Sequence, residues 1–212
     1  YHRSERNAGG KNMRLICIGD SLTFGYGVHL SQRWTRLCAQ ETGWELVNEG
    51  INGDTTGGML ARMQGGVLAE LREGGLGADR PYVLLMGGSN DVFYSGSDAA
   101  ARGNMGAMIH QLFSVGVLPM VGIPLPADAP HAPRAWAVAV DFEAAERTMK
   151  EYCAWLKRYC TAFGVPYIDF CADFLSPDGS IRSELLLDGL HPTPEGHCLM
   201  ARRLSAQLKR QG

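Results

Sequence analysis

Apolar residues recur along this chain in two patterns, which predict strands that alternate with helices. Short apolar runs predict strands that are buried on both faces, as in a parallel sheet. Five such runs cover residues 15–18, 45–48, 81–86, 118–123 and 167–169. Apolar residues spaced three or four apart predict helices over residues 31–42, 56–72, 98–115 and 141–163, and after Thr193. This alternation indicates an α/β fold with a parallel sheet between two layers of helices.

Residues at the ends of these elements refine the outline. Ser31 is predicted to cap the first helix, and Thr193 the last, with Pro194 at its first position. The segment 125–140 is rich in proline and alanine and has no clear period, which predicts a long loop. Long loops in compact domains often form lids or the edges of binding sites.

The length of 212 residues and one continuous series of elements predict a single domain over residues 13–212. Residues 1–12 are polar and basic, which indicates a flexible leader or, with Met13 as the natural start, an artificial remnant. The six cysteines contain no Cys-x-x-Cys motif, which disfavours structural zinc and thioredoxin-like chemistry. We therefore expect free thiols in a reducing compartment.

Charge and hydropathy disfavour further classes of protein. The formal net charge is -2 and the chain has no dense stripe of Lys and Arg, so nucleic acid is a disfavoured partner. The longest apolar region, residues 112–127, is interrupted by glycines and prolines and is shorter than the ~20 residues of a membrane span. We expect a soluble, cytoplasmic protein, while a removed secretion signal stays open. His191 and His197 are six residues apart and do not share a helical face, so we predict no metal and no cofactor.

Polar residues follow three predicted strands and precede the last helix. Ser21 comes after the first strand, Gly53 after the second and Asn90 after the third. Asp188 and His191 lie in the turn before the final helix. Because parallel strands place their carboxyl ends at one edge of the sheet, we expect these residues to converge there.

These residue types could together perform acyl transfer from an ester. His191 can accept the Ser21 proton near neutral pH, and Asp188 can hydrogen-bond the far ring nitrogen and fix the tautomer. The backbone N–H groups of Ser21 and Gly53 and the side-chain amide of Asn90 could stabilise the oxyanion of the tetrahedral intermediate. Each element alone also has a structural explanation, such as a helix cap or a backbone turn, so the prediction depends on their combination.

The blocks that carry these residues resemble those of the SGNH-hydrolase (GDSL esterase/lipase) family. They are Gly19-Asp20-Ser21-Leu22, Asn48-Glu49-Gly50-Ile51-Asn52-Gly53, Gly88-Ser89-Asn90-Asp91 and Asp188-Gly189-Leu190-His191-Pro192. The resemblance covers nearly the whole chain and is closest to small bacterial acyl-esterase, thioesterase and lysophospholipase-like members. It implies a three-layer flavodoxin-like fold with strand order 2-1-3-4-5. It also implies that Ser21, Gly53, Asn90 and His191 are the four namesake residues, that Asp188 orients the histidine, and that Asp20 and Asp91 support the loops.

Substrate and reaction remain partly open. A classical α/β-hydrolase is disfavoured, because neither Ser21 nor Ser89 lies in a Gly-x-Ser-x-Gly motif. We expect a serine esterase for short-chain acyl or aryl esters; an acyltransferase, a thioesterase or a non-catalytic ligand-binding domain are the alternatives. Phe93, Tyr94 and Trp136 either line the substrate pocket or anchor their loops to the core. A homo-oligomer also stays open.

Overall fold

The sheet has five parallel strands in the order β2-β1-β3-β4-β5 in the computed structural model, which describes residues 13–69 and 81–210. The strands are β1 (Arg14–Gly19), β2 (Glu45–Gly50), β3 (Tyr82–Met86), β4 (Pro119–Ile123) and β5 (Tyr167–Asp169). In the register, Gly19 of β1 lies beside Gly50 of β2 and Met86 of β3. The predicted fold class and strand order are confirmed.

Helices cover both faces of the sheet. They are α1 (Ser21–Phe24), α2 (Trp34–Thr42), α3 (Thr56–Gly65), α4 (Ser89–Ser95), α5 (Ala99–Ser114), α6 (Phe142–Phe163) and α7 (Pro194–Leu208). Successive strand residues point to opposite faces, so Leu15 and Cys17 pack against α2 and α7, whereas Ile16 and Ile18 pack on the side of α3, α5 and α6. Each face is therefore covered by its own apolar cluster.

Local sequence explains both ends of α6 and the start of α7. The Asp141 side chain accepts a hydrogen bond from the Ala144 N–H and caps α6, which ends at Gly164 in the left-handed conformation. The Thr193 side chain caps α7 through the Gly196 N–H, and Pro194 occupies the first position. Both features of α7 agree with the pattern in the sequence.

The predicted cap at Ser31 is wrong. Residues Leu30–Gln32 form a 3-10 turn, and α2 begins only at Trp34. The Trp34 N–H donates to Nδ1 of His197, and its ring N–H donates to the Leu22 carbonyl oxygen at 2.8 Å. Because a buried tryptophan with distant partners fixes this helix start, the nearest serine is not used as a cap.

One further boundary and two short helices differ from the sequence prediction. α3 ends at Gly65, next to Gly66, and the predicted end near residue 72 lies outside the described residues. The short helices α1 and α4 lie in segments that show no helical period. The segment 125–140 is a loop, as the sequence predicts, and it contains two 3-10 turns, Ala129–His131 and Arg134–Trp136.

Two other expectations concern thiols and membranes. All six cysteines are free thiols, and only Cys198 is partly exposed. Over residues 13–69 and 81–210, no helix is both long and apolar enough to cross a membrane. The predicted leader, residues 1–12, lies outside the described residues.

Candidate active site

The predicted site residues converge on one cleft at the carboxyl edge of the sheet. The cleft has a volume of about 480 Å³. Ser21, Gly53, Asn90, Asp188 and His191 all line it. It falls within the size range of small-molecule sites, which is about 300–1,000 Å³.

Ser21 is the first residue of α1, directly after β1. Asp20 caps this helix, because its Oδ1 accepts a hydrogen bond from the Leu22 N–H at 2.9 Å. The first N–H groups of a helix have no partner within the helix. The Ser21 N–H accordingly has no hydrogen-bond partner in the part of the chain that the structure describes, so it is free to bind an anion in the cleft.

Ser21 and His191 are 170 residues apart in the chain and in hydrogen-bond contact in the fold. Ser21 Oγ lies 2.9 Å from Nε2 of His191, and Nδ1 of His191 lies 2.8 Å from Oδ2 of Asp188. His191 is almost fully buried, which keeps its ring out of bulk water. With the proton on Nδ1, facing the carboxylate, Nε2 is the acceptor for the serine O–H.

The turn that contains Asp188 fixes the position of its carboxylate. Its Oδ1 accepts hydrogen bonds from the backbone N–H groups of Leu190 and His191, at 3.1 and 2.9 Å. Burial raises the pKa of this carboxyl, but hydrogen bonds from the His191 ring and from the two backbone groups outweigh burial and hold the pKa below its usual value. Asp188 is therefore ionised near neutral pH and can stabilise an imidazolium.

Gly53 and Asn90 face Ser21 from the next two strand ends. Gly53 has φ +76°, a conformation that glycine adopts without strain, and among the described residues its N–H has no partner. One hydrogen of Asn90 Nδ2 goes to the Asp54 carbonyl oxygen at 2.8 Å, which leaves the second for a ligand. The carboxylate of Asp91 accepts hydrogen bonds from both the N–H and the hydroxyl of Thr56, which ties α4 to the start of α3.

Aromatic side chains form the outer wall of the cleft. Phe93, Tyr94 and Trp136, the three predicted substrate contacts, all line it. Phe93 is buried and also packs edge-on against Phe142, so it lines the cleft and anchors its helix at the same time. Tyr94 and Trp136 are largely exposed, with 61% and 41% of their surface accessible.

Sequence reasoning missed three residues around the site. The ring of Tyr26 lies 4.6 Å from the ring of His191 and lines the cleft. Asp54 and Arg62 form an ion pair beside Gly53. Tyr26 lies between Gly25 and Gly27 in an irregular segment, where no periodic pattern indicates which side chains face the site. Asp54 and Arg62 are eight residues apart, and this spacing alone does not predict that they form an ion pair.

Two buried titratable groups lie close to Ser21 and His191. Burial raises the pKa of the Asp20 carboxyl to about 7, against the hydrogen bond from the Leu22 N–H. Burial lowers the pKa of His197 to about 4, and the nearby Arg33 and His191 side chains lower it further. Within residues 13–69 and 81–210, no three His, Cys, Asp or Glu side chains are grouped as metal ligands.

Comparison with known proteins defines the class. The model of the GDSL-like lipase/acylhydrolase family matches residues 17–199. Esterase TesA of Pseudomonas aeruginosa is 29% identical over 185 residues, which are 84% of this chain and 79% of the relative. A lipolytic protein of the G-D-S-L family from Desulfitobacterium hafniense shares 24% identity at a TM-score of 0.74, over 92% of this chain and 99% of that one. Est24, a carbohydrate acetylesterase from Sinorhizobium meliloti, shares 18% identity at a TM-score of 0.76, over 94% and 100% of the two chains.

The chain belongs to the GDSL-like lipase/acylhydrolase family. It is a carboxylic ester hydrolase, and the four blocks identified in the sequence all lie at the cleft described above.

Proposed function

We propose that the chain hydrolyses short-chain acyl or aryl esters through an acyl-enzyme on Ser21. The observation that carries the proposal is the chain of contacts from Ser21 Oγ to His191 Nε2, and from His191 Nδ1 to Asp188. A serine hydroxyl becomes a nucleophile when an adjacent base takes its proton, and this geometry supplies the base and the group that orients it.

In the first half of the reaction, Ser21 Oγ attacks the ester carbonyl carbon while His191 Nε2 takes the hydroxyl proton. The developing oxyanion accepts hydrogen bonds from the Ser21 and Gly53 N–H groups and from Asn90 Nδ2. The C–O bond to the alcohol then breaks, and the imidazolium gives its proton to the departing oxygen. The N–H groups of Ser21 and Gly53, which have no partner among the residues that the structure describes, support this assignment of the oxyanion site.

In the second half, water replaces the alcohol. His191 takes a proton from the water, whose oxygen attacks the acyl carbon, and Ser21 leaves with that proton when the carboxylic acid is released. Asp188, ionised near neutral pH, stabilises the imidazolium in both halves. An acceptor other than water would give acyl transfer from the same acyl-enzyme, so product analysis with competing alcohols separates the two reactions.

The experiment compares the wild type with Ser21→Ala on p-nitrophenyl esters from acetate to dodecanoate. We expect the wild type to prefer acetate and butyrate, and Ser21→Ala to lose at least ~10⁴-fold in kcat. Ser114→Ala, a serine on α5 whose hydroxyl only bonds the Gln111 carbonyl, is the matched control and should keep full activity. A fluorophosphonate should label the wild type and the control but not Ser21→Ala.

Equal rates for the wild type and Ser21→Ala would contradict the mechanism. A steady rise in kcat/KM up to dodecanoate would contradict the short-chain assignment and leave the mechanism standing. An acyl-thioester series measured in parallel tests the thioesterase alternative, because the same acyl-enzyme would form from either substrate.

A further inference from the structure

Arg62 lies in the second turn of α3 and connects two strand ends at the edge of the sheet that carries the site. Its Nε donates to Oδ2 of Asp54 at 2.8 Å, and its Nη2 donates to the Gly19 carbonyl oxygen at 2.9 Å. The Arg62 side chain is 24% exposed and that of Asp54 12%. One largely buried guanidinium therefore joins the carboxyl end of β1 to the loop after β2.

Both ends of this link lie beside groups that the proposed mechanism uses. Gly19 is two residues before Ser21, and Asp54 directly follows Gly53. The Asp54 carbonyl oxygen also accepts the hydrogen bond from Nδ2 of Asn90. The three proposed oxyanion donors are thus connected to one another through the two partners of the guanidinium.

The start of α3 is shaped to hold the Asp54 carboxylate. A Cβ at position 58 would lie 1.9 Å from Oδ1 of Asp54, so a side chain at Gly58 would displace the carboxylate. Thr55 caps the helix by accepting a hydrogen bond from the Gly58 N–H at 3.3 Å. A carboxylate beside the first turn of a helix is also favoured by the partial positive charge there. The Asp54 carboxylate, which accepts a hydrogen bond from Arg62, is consequently held in one position.

Arg62 also supplies the positive charge in an acidic neighbourhood. Burial is the main cause of the raised pKa of the Asp20 carboxyl, and the negative charges of Asp54 and Asp91 raise it further. Without the guanidinium, the carboxylate of Asp54 would be buried beside these acids with no ion pair. Because a buried charge without a partner is destabilising, the Asp54 carboxylate would turn towards solvent. The loop 51–54 would move with it.

We propose that Arg62 is a positioning residue for the oxyanion site, an inference that rests on the proposed ester hydrolysis. By binding Asp54 and Gly19 together, it fixes the distance between the Gly53 N–H, the Asn90 amide and the Ser21 N–H. These donors stabilise the oxyanion only in the tetrahedral state. A displacement of about 1 Å can cost ~100-fold in rate, so the loss should fall on kcat and leave KM nearly unchanged.

The test compares Arg62→Met and Arg62→Lys with Arg102→Met as the matched control. Arg102 forms a similar half-buried ion pair with Asp98, on α5 away from the cleft. For Arg62→Met we expect kcat on p-nitrophenyl acetate to fall about 10- to 100-fold with KM within ~threefold, and the inhibition constant of phenylboronic acid, which forms a tetrahedral adduct, to rise by the same factor. Arg62→Lys keeps the charge but reaches only one acceptor at a time, so it should recover part of kcat.

Backbone hydrogen exchange over residues 51–54 gives a readout that does not depend on activity. The Ile51 N–H bonds the Gly19 carbonyl and the Asp54 N–H bonds the Ile51 carbonyl, so both should exchange about tenfold faster in Arg62→Met and unchanged in Arg102→Met. Unchanged exchange, or a kcat within twofold of the wild type in both Arg62 variants, would overturn the inference. If the wild type itself is inactive while exchange still accelerates, the proposed function fails and the structural link stands.

Discussion

The two halves of the cleft are built in different ways. The inner half comprises Ser21, Gly53 and Asn90, which follow the ends of β1, β2 and β3, and Asp188 and His191, which lie in the turn before α7. Hydrogen bonds join these segments to one another. The outer half comprises Tyr26, Tyr94 and Trp136, which lie in turns, loops or a short helix and have between 41% and 61% of their surface exposed. The inner half is fixed by the strand ends and by the hydrogen-bonded turn of Asp188 and His191, and the outer half by the segments around them.

This difference suits the inner half to the chemical step and the outer half to substrate binding. Proton transfer and oxyanion stabilisation depend on distances held to fractions of an ångström, which the elements of a packed core can supply. Binding of an acyl or aryl group depends on apolar area, which exposed side chains can supply with more freedom. We therefore expect changes in the inner half to act on kcat, and changes in the outer half to act on KM and on the choice of substrate.

The largest effect is expected for Asp188→Asn. An amide at this position can hold the ring of His191 in place, but it cannot stabilise the imidazolium and it favours the wrong tautomer. We expect kcat on p-nitrophenyl acetate to fall ~10⁴-fold, with KM little changed. Asp178→Asn, in an exposed turn, is the control and should be fully active. A loss smaller than tenfold would show that the inner half does not work as a unit.

The second prediction concerns the pH dependence of stability. It tests whether water is excluded from the two buried side chains next to the inner half, Asp20 and His197. Asp20 and His197 are both buried there, with pKa values of about 7 and about 4. Between pH 3.8 and 7 the folded state holds a proton on Asp20 that the unfolded state has released, so stability falls as pH rises. Between pH 4 and 6.5 the unfolded state protonates His197 and the folded state does not, so stability falls as pH decreases.

Asp20 and His197 therefore change stability in opposite directions as the pH changes. Variants that replace one of the two residues should reveal each contribution separately. At ~1.36 kcal/mol per pKa unit, Asp20 contributes a change of about 4 kcal/mol across its window and His197 about 3 kcal/mol, both as upper limits. Relative to the wild type, Asp20→Asn should lose stability more steeply as pH falls from 7 to 4, and His197→Asn less steeply. Urea unfolding at several pH values measures this. Parallel curves for all three proteins would show that water reaches both groups.

Patterns in the sequence were sufficient for the inner half because its residues sit at the ends of elements. The apolar runs predict all five strands, and the residue that follows a strand is placed by the strand. Ser21 is the first residue of a four-residue helix and Asn90 the second residue of a seven-residue helix, and both helices are too short to show a period. Their helices were missed, yet their positions at the edge of the sheet were not affected.

Patterns in the sequence were not sufficient where contacts between distant residues decide the structure. The start of α2 depends on the contact between Trp34 and His197, which are 163 residues apart in the chain. The contact between Tyr26 and His191 likewise joins two irregular segments. Local spacing carries no information about such pairs, and Tyr26 of the outer half is placed by one of them. This is why the class of reaction is easier to predict than the substrate.

The smallest effect is expected in the outer half, for Trp136→Ala. The Trp136 ring lines the cleft, and an aromatic contact with a bound aryl group is worth about 1 kcal/mol, so KM for phenyl acetate should rise roughly five- to tenfold with kcat within ~threefold. Methyl acetate, which offers no ring, should react at the wild-type rate. Val138→Ala, in the same loop and 92% exposed, is the matched control. A 100-fold fall in kcat for both esters would mean that the outer half also shapes the reaction, and the division of the cleft into two halves would be wrong.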